Sequence, residues 1–343
     1  MKTEKRKDAH IELAQKKQSQ FNTSTLFNEV KLIHNSLSFF EINEINTKTE
    51  FLGKKFSFPL SIRPITGGTE KSFELNKNIA LACEKKGIGF SLGSMRTALE
   101  NKNKLKYYKL RKYCPTVFLE ANIGALELEK YSAKKIDSFL SETEANAVSV
   151  HLNSAQELMQ NQKTKGFSKQ FKNIKNFAEK SSFPVIVKEV GQGISFETAK
   201  KLNTTKIKGI DVAGSGGTNF IKIDSILHNK KSLGKTFGEF GIPTAASVLM
   251  TKKAFGKKII ASGGIRNGLE IAKSIVLGAD LTGIAGPVLW KAKKGGKKVE
   301  EFLEVLEKEL RISMFLVGAK NLTELKKKKF VLQDNLLEWK NYT

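Results

Sequence analysis

Residues 148–157 (VSVHLNSAQE) carry side chains that can hydrogen-bond an anion, ligate a cation and hold a proton. The small and β-branched residues around Val148 and Val150 predict a short buried strand that ends in this polar run. In folds built from parallel strands, ligands bind where the strands end. The side chains that we expect at that edge are His151, Asn153, Gln156 and Glu157.

A structural alternative exists for the same run. Ser154 and Glu157 have the spacing of a capping box, in which the serine caps a helix and the glutamate reaches back to the backbone. The run alone is compatible with both interpretations, so the elements around it must decide between them.

From Pro59 onward the sequence repeats a short apolar run, a polar ending rich in Gly or Asn, and an amphipathic helix. The eight apolar runs are 59–62, 87–92, 116–119, 148–150, 184–187, 209–213, 258–261 and 280–285. Eight units within residues 57–290 predict an α/β fold, the (β/α)₈ TIM barrel. A doubly wound sheet is disfavoured because no Gly-x-Gly-x-x-Gly follows the first strand.

The rest of the chain is expected to complete one domain, 1–343. Residues 1–56 form a polar N-terminal arm in this interpretation, and residues 291–343 supply helices that close the ring. The closing helix is predicted from an apolar stripe at Phe302, Val305, Leu306 and Leu310. The connections 160–180 and 219–240 are long and polar, and we expect them to act as lids over the barrel.

Glycine-rich turns after the late strands predict a phosphate site. Gly263 and Gly264 follow the seventh apolar run, and Ala285 and Gly286 end the eighth. Glycines let backbone N–H groups approach phosphate oxygens, and a following helix adds positive potential. A second glycine-rich turn, 214–218, indicates close approach of the backbone to a bulky ligand.

Lys188 ends the fifth apolar run, where a buried lysine is rare unless it is paired. It could face an anionic or electron-rich ligand, or form a Schiff base with a carbonyl substrate. Asn122 and Ser94 would add neutral hydrogen bonds at neighbouring strand ends. Glu157 is the carboxylate available after the fourth strand for a hard cation such as Mg²⁺.

The formal net charge of +25 raises the question of a nucleic-acid partner. Of the 59 basic residues only six are arginine, and the lysines are scattered with little aromatic interleaving. This pattern indicates a lysine-rich solvated surface, whose positive field would steer an anionic substrate. We therefore expect a small-molecule partner and no nucleic acid.

Other bulk features indicate a cytoplasmic protein. No run of about 18 apolar residues is present, so we expect no membrane span. The charged segment 1–7 is followed by no apolar stretch, which argues against a signal peptide. Cys83 and Cys114 lie in apolar surroundings and are expected to be reduced thiols. Arg6 and Lys7, adjacent on the arm, could clamp a phosphate.

Short motifs in a fixed order extend this pattern along nearly the whole chain. They are Arg6-Lys7-x-x-His10-Ile11, Leu32-Ile33-His34-Asn35, Glu50-Phe51-Leu52-Gly53-Lys54-Lys55, Thr66-Gly67-Gly68, Gly93-Ser94-x-Arg96, Ala121-Asn122-Ile123-Gly124-Ala125, His151-Leu152-Asn153-x-x-Gln156-Glu157, Pro184-Val185-Ile186-Val187-Lys188-Glu189-Val190-Gly191, Asp211-Val212-Ala213-Gly214-x-Gly216-Gly217-Thr218 and Gly241-Ile242-Pro243-Thr244-Ala245. In this order they resemble the type 2, flavin-dependent isopentenyl-diphosphate isomerases.

The resemblance implies FMN over the barrel mouth, where its reduced form acts as acid and base in converting isopentenyl to dimethylallyl diphosphate. NADPH would only reduce the flavin. The implied cofactor-binding residues are Ile65, Thr66, Gly67, Ser94, Asn122, Lys188, Thr218, Gly263, Gly264, Arg266, Ala285 and Gly286. The implied substrate-binding residues are Arg6, Lys7, Ser94, Met95, Arg96, His151, Asn153 and Gln156. Of these, His151, Asn153 and Gln156 would be catalytic, and Glu157 would hold Mg²⁺ on the diphosphate.

The chain departs from the family pattern in four places. Residues 63–65 (Arg-Pro-Ile) stand where the family usually has Ser-Ser-Met or similar, and we expect Arg63 to contact a phosphate or the flavin ring. Residues 161–166 replace an acidic Glu-Gly-Asp segment. Phe220 and Phe240 replace two tryptophans, so the lids are expected to close differently.

Two other functions compete with this one. A flavin barrel that oxidises 2-hydroxy acids has similar late strands, but it needs a histidine base late in the barrel, and no histidine follows His228. A lysine-rich nucleic-acid-binding protein on an inert barrel is the alternative of another class. The resemblance also implies assembly into homo-tetramers or octamers.

Overall fold

Eight parallel strands form a closed barrel in a computed structural model that describes residues 3–160 and 166–342. The strands are β1 (Leu60–Ile62), β2 (Gly89–Ser91), β3 (Leu119–Gly124), β4 (Ala147–His151), β5 (Val185–Lys188), β6 (Gly209–Asp211), β7 (Lys258–Ser262) and β8 (Leu281–Ile284). Each pairs in parallel with the next along the chain, and β8 returns to β1 with Thr282 opposite Leu60. The predicted (β/α)₈ barrel is confirmed.

Helices surround the barrel, and further helices occur in the chain before β1 and after β8. Within the described ranges they are α1 (Thr3–Leu13), α2 (Glu70–Lys86), α3 (Arg96–Glu100), α4 (Ala133–Glu142), α5 (Ser154–Met159), α6 (Gln170–Lys180), α7 (Phe196–Asn203), α8 (Phe220–Leu227), α9 (Lys231–Phe237), α10 (Thr244–Ala254), α11 (Gly268–Val276), α12 (Gly286–Ala292), α13 (Gly296–Leu316), α14 (Leu322–Leu325) and α15 (Asp334–Asn341). Two antiparallel pairs lie outside the barrel, Val30–Leu32 with Phe330–Leu332 and Thr49–Phe51 with Lys54–Phe56. None of these helices has the length and apolar composition needed to cross a membrane.

The closing helix predicted near the C-terminus is α13, which packs against α2 and α11. Leu306 and Leu310 are buried as expected, together with Leu303. Val305, which we placed on the same stripe, is 52% exposed on the outer face. The stripe is therefore shifted by part of a turn from the predicted one.

The third strand begins and ends later than the sequence indicated. The apolar run 116–119 overlaps β3 only at Leu119, and the strand continues through Glu120 and Asn122. Glu120 is fully buried because Arg63 from the end of β1 donates two hydrogen bonds to its carboxylate, from Nη1 (2.8 Å) and Nη2 (2.7 Å). Glu120, which the sequence analysis placed in the polar end of a strand, is therefore an ion-paired residue inside the barrel.

The two connections expected to be lids both contain helices. Residues 219–240 form α8 and α9, and α8 packs against α5 and α1. Ile221 and Ile223 are buried on α8, which explains why this segment is not a loose loop. The first connection ends in α6, and its residues 161–165 lie outside the described residues. Most of the segment that replaces the family's acidic residues, 161–166, falls there, so the expectation for it stays a prediction.

Candidate active site

A cavity of about 620 Å³ opens at the carboxyl ends of the barrel strands, within the usual range for ligand sites. It brings together eighteen of the residues predicted for the site. They are Lys7, Ile65, Thr66, Gly67, Ser94, Arg96, Asn122, His151, Asn153, Gln156, Glu157, Lys188, Thr218, Gly263, Gly264, Arg266, Ala285 and Gly286. Met95 packs in the hydrophobic core instead, with 3% exposure. The side chain of Arg6 lies outside the described residues.

The wall after β4 is a network of polar side chains rather than a helix cap. The N-cap of α5 is Asn153, and no side-chain capping bond forms, so the capping-box alternative is wrong. Asn153 Nδ2 donates to Glu157 Oε1 at 3.1 Å. His151 Nδ1 lies 2.9 Å from Asn122 Oδ1, which fixes the imidazole ring against β3.

Asp224 on α8 is a site residue that the sequence analysis missed. Its Oδ2 accepts from Gln156 Nε2 at 2.8 Å and from Gln160 Nε2 at 3.0 Å, and its Oδ1 lies 2.8 Å from His10 Nε2. Burial alone would raise the pKa of Asp224, but the hydrogen bonds from His10, Gln160 and Gln156 hold it below its ordinary value. One buried carboxylate thus joins α1, α5 and α8 beside the cavity.

His151 is neutral in this setting. Burial, reinforced by the positive charges of Lys188 and Arg96, lowers the pKa of His151 to about 3. A general base works best with a pKa near the operating pH, so this imidazole is a hydrogen-bonding group and a poor base. The other histidine that lines the cavity, His10, is bound to Asp224.

We expect the ring of His151 to keep one protonation state between about pH 8 and about pH 5, because a lowered pKa delays protonation to lower pH. Imidazole NMR signals followed through a pH titration would measure this, with His151→Gln used to assign them. A titration midpoint near about 6.5, the ordinary value, would contradict the expectation.

Lys7 is anchored across the barrel mouth. Its Nζ donates to the Gly67 carbonyl and lies 3.3 Å from the Ser94 carbonyl and 3.2 Å from the Tyr108 hydroxyl. The first helix is thereby fastened to the ends of β1 and β2. Lys7 lines the cavity from this position, where its charge faces the same space as Arg96.

Glycine-rich turns form the opposite wall, where the sequence predicts a cofactor phosphate. Gly263 and Gly264 have φ values of 104° and 74°, which favour glycine. A Cβ at Gly263 would stand 2.2 Å from the Gly214 carbonyl oxygen, and one at Gly264 would stand 2.5 Å from that of Gly216. The turns after β6 and β7 therefore pack backbone to backbone. Arg266 joins them by donating to the carbonyls of Gly264 (2.9 Å) and Gly216 (3.1 Å).

Lys188 extends from β5 to the floor of the cavity. Its Nζ donates to the Glu189 carbonyl, and burial lowers the pKa of the ammonium group. Burial also raises the pKa of Glu189 to about 7, although the backbone N–H groups of Gln192, Val190 and Gly191 donate to its carboxylate. Lys188 thus places a buried amine at the base of the site.

Arg63 lines the cavity, and its guanidinium is bound to carboxylates of the barrel interior. Its guanidinium lies inside the barrel, where it donates to Asp211 Oδ2 through Nε at 2.8 Å and to both oxygens of Glu120. Ser91 Oγ also accepts from it at 2.9 Å. Its donors are taken up by two carboxylates in an ionic network at the base of the cavity, and the expected phosphate or ring contact stays a prediction.

A divalent cation at this site would need ligands from a substrate as well as from the protein. Among the described residues, no group of three or more His, Cys, Asp and Glu side chains could hold a metal ion by itself. Glu157 is 7% exposed and lines the cavity. Mg²⁺ is commonly bound by one or two carboxylates plus substrate phosphates, so a site at Glu157 needs oxygens from a ligand.

Comparison with known proteins identifies the family of this chain. A family model described as FMN-dependent dehydrogenase matches residues 121–332. The isopentenyl-diphosphate delta-isomerase of Metallosphaera sedula is 37% identical over 97% of this chain and 94% of its own length. That of Methanocaldococcus jannaschii is 36% identical over 98% and 96%. This chain belongs to the isopentenyl-diphosphate delta-isomerase family. The resemblance in the sequence motifs is confirmed, and the chain is an enzyme of the FMN-dependent type.

Solved structures support the barrel of this isomerase-family chain. A mandelate oxidase variant with 4-Br-2-hydroxy-methylphenylacetate superposes with a TM-score of 0.67 over 97% of this chain and 99% of that one. The two sequences are 17% identical, so the likeness bears on the fold alone. Their shared architecture is the closed eight-stranded barrel.

Proposed function

We propose that the chain converts isopentenyl diphosphate to dimethylallyl diphosphate, using reduced FMN, Mg²⁺ and NADPH as the reductant of the flavin. One observation carries the proposal. A single cavity has a glycine-rich wall suited to a cofactor phosphate and, facing it, a wall of neutral polar side chains beside Arg96 and Glu157. Such a site can hold a flavin and a small diphosphate together.

The chain's own residues would bind and orient the diphosphate. Arg96 and Lys7 supply positive charge, and Ser94 and Asn153 supply neutral hydrogen bonds. His151 would contribute a hydrogen bond rather than a charge, because its pKa lies at about 3. Glu157 would hold Mg²⁺ against the phosphate oxygens, which neutralises part of their charge.

The reacting end of the substrate would lie towards Gln156. The amide of Gln156 donates to Asp224 on α8. Helix α8 packs against α1 beside the cavity. Protonating an unactivated alkene needs a strong acid and a site from which water is excluded. The bound reduced flavin would supply that acid–base chemistry. The protein's part is to position the double bond and exclude water.

The cofactor side would use the residues of the glycine-rich wall. Gly263, Gly264, Ala285 and Gly286 would hold the FMN phosphate, with Arg266 bracing the turns. Lys188, Asn122, Ser94, Thr218 and residues 65–67 would face the ring. We further propose that residues 1–343 act as one FMN-binding unit that assembles as a homo-oligomer in the cytoplasm.

An anaerobic assay tests the proposal directly. Protein, FMN, NADPH, Mg²⁺ and isopentenyl diphosphate are mixed, and dimethylallyl diphosphate is followed with time. We expect product that disappears when FMN is omitted. Flavin binding without product, together with flavin reduction by a 2-hydroxy acid, would instead favour the oxidase alternative.

A further inference from the structure

Glu127 is a buried carboxylate whose interactions are incomplete. It ends no barrel strand but lies in the short 3₁₀ helix Ala125–Glu129 that follows β3. Its exposure is 4%, it lines the cavity, and its Oε2 has no hydrogen-bond partner among the described residues. Its carboxylate forms two ion pairs that are longer than hydrogen bonds, with Lys130 Nζ 3.6 Å from Oε2 and Arg96 Nε 3.7 Å from Oε1. Burying a carboxylate oxygen without a donor is unfavourable, which points to a missing partner.

Glu127 lies on the side of the cavity assigned to the diphosphate. A Cβ placed on Gly124 would stand 3.1 Å from His151 Nε2 and 3.8 Å from Glu127 Cγ, so these two side chains flank the same small space. Burial alone would lower the pKa of Arg96, but the carboxylates of Glu100, Glu127 and Glu157 raise it. Glu127 and Glu157 therefore both act electrostatically on the guanidinium of Arg96, and both line the cavity.

We propose that Glu127 is a second protein ligand, with Glu157, of a divalent cation whose remaining ligands are the oxygens of a bound diphosphate. The inference rests on the proposed function and adds a residue to it. A hard cation takes carboxylate and phosphate oxygens, and its charge offsets the repulsion between two carboxylates and a diphosphate. Oε2, which accepts no hydrogen bond from the described residues, is the atom that would contact the ion.

A simpler role must be separated from this one, because Glu127 could merely hold Arg96. The two roles predict different changes in diphosphate affinity when Glu127 is replaced by glutamine. Without metal, a carboxylate ligand repels diphosphate, so Glu127→Gln should tighten binding. With metal, the variant loses a ligand, so binding should weaken. A residue that only positions Arg96 would change both affinities in the same direction.

The experiment measures the affinity of the FMN-loaded protein for inorganic diphosphate by calorimetry, with and without Mg²⁺. We expect Mg²⁺ to strengthen binding to the unmodified protein, and Glu127→Gln to reduce this enhancement by about tenfold or more, the usual range of coupling between two ligands. Mn²⁺ binding followed by electron paramagnetic resonance gives a second readout. Glu127→Asp, which keeps the charge, should retain part of the enhancement.

Glu100→Gln is the matched control. Glu100 accepts from Arg96 Nε at 2.9 Å but does not line the cavity, so its loss should leave the Mg²⁺ enhancement unchanged. Equal losses in Glu100→Gln and Glu127→Gln would overturn the inference in favour of a role through Arg96. An undiminished enhancement in Glu127→Gln would overturn it alone. If the unmodified protein binds diphosphate but shows no enhancement, the inference and the proposed Mg²⁺ site at Glu157 are both wrong, whereas an absence of any diphosphate binding would contradict the proposed function itself.

Discussion

Replacing Gln156 with asparagine should lower kcat by about 100-fold or more, while the affinity for FMN stays within about twofold. The shorter side chain cannot reach both Asp224 and the reacting end of the substrate, and a displacement of about 1 Å at such a site is enough for an effect of this size. The residues expected to bind FMN are on other strands and are untouched. Anaerobic turnover and flavin fluorescence quenching measure the two quantities separately.

Gln160→Asn is the matched control, because Gln160 donates to the same Asp224 oxygen at 3.0 Å. We expect a much smaller loss of turnover from it, since Gln156 is the residue assigned to the double bond. Glu157→Gln should resemble Gln156→Asn by lowering turnover and sparing FMN. Equal losses of turnover and of FMN affinity in these variants would mean that the wall after β4 is structural.

The barrel could be predicted from sequence because its signal is repeated. Each buried parallel strand reads as an apolar run followed by a polar ending, and eight such runs leave few other folds. The prediction was least accurate at β3, where Glu120 interrupts the apolar pattern. Its partner, Arg63, lies in another unit, so no local pattern signals that the charge is neutralised inside the barrel.

The site residues that directly follow a barrel strand could be predicted from the sequence. His151, Asn153, Gln156 and Glu157 follow one strand, so the topology brings them to the cavity. Asp224 was missed because it lies on a helix in a segment read as a polar lid, and its role appears only when α8 packs on α5. Glu127 was missed for a related reason, since an acidic residue after a strand usually reads as solvated.

Arg63→Met should lower the free energy of unfolding by about 3–5 kcal/mol, the usual cost of removing one partner from a buried ion pair. The substitution would leave Glu120 and Asp211 without their guanidinium partner inside the barrel, both with fully buried side chains. Burial alone would lower the pKa of Arg63, but these carboxylates raise it above its ordinary value, so the guanidinium is charged. Urea unfolding of the FMN-free protein, with m-values compared, measures the change.

A second substitution separates the loss of pairing from the loss of packing. Glu120→Leu added to Arg63→Met removes one stranded carboxylate, so the double variant should be more stable than Arg63→Met alone, although it contains one change more. Lys298→Met, which removes an exposed pair with Glu301, is the surface control and should cost less than about 1 kcal/mol. If Arg63→Met costs no more than this control, the interior network does not hold the barrel together. If the double variant is instead the less stable one, Glu120 contributes through contacts other than Arg63, such as the Ser149 hydroxyl that donates to it.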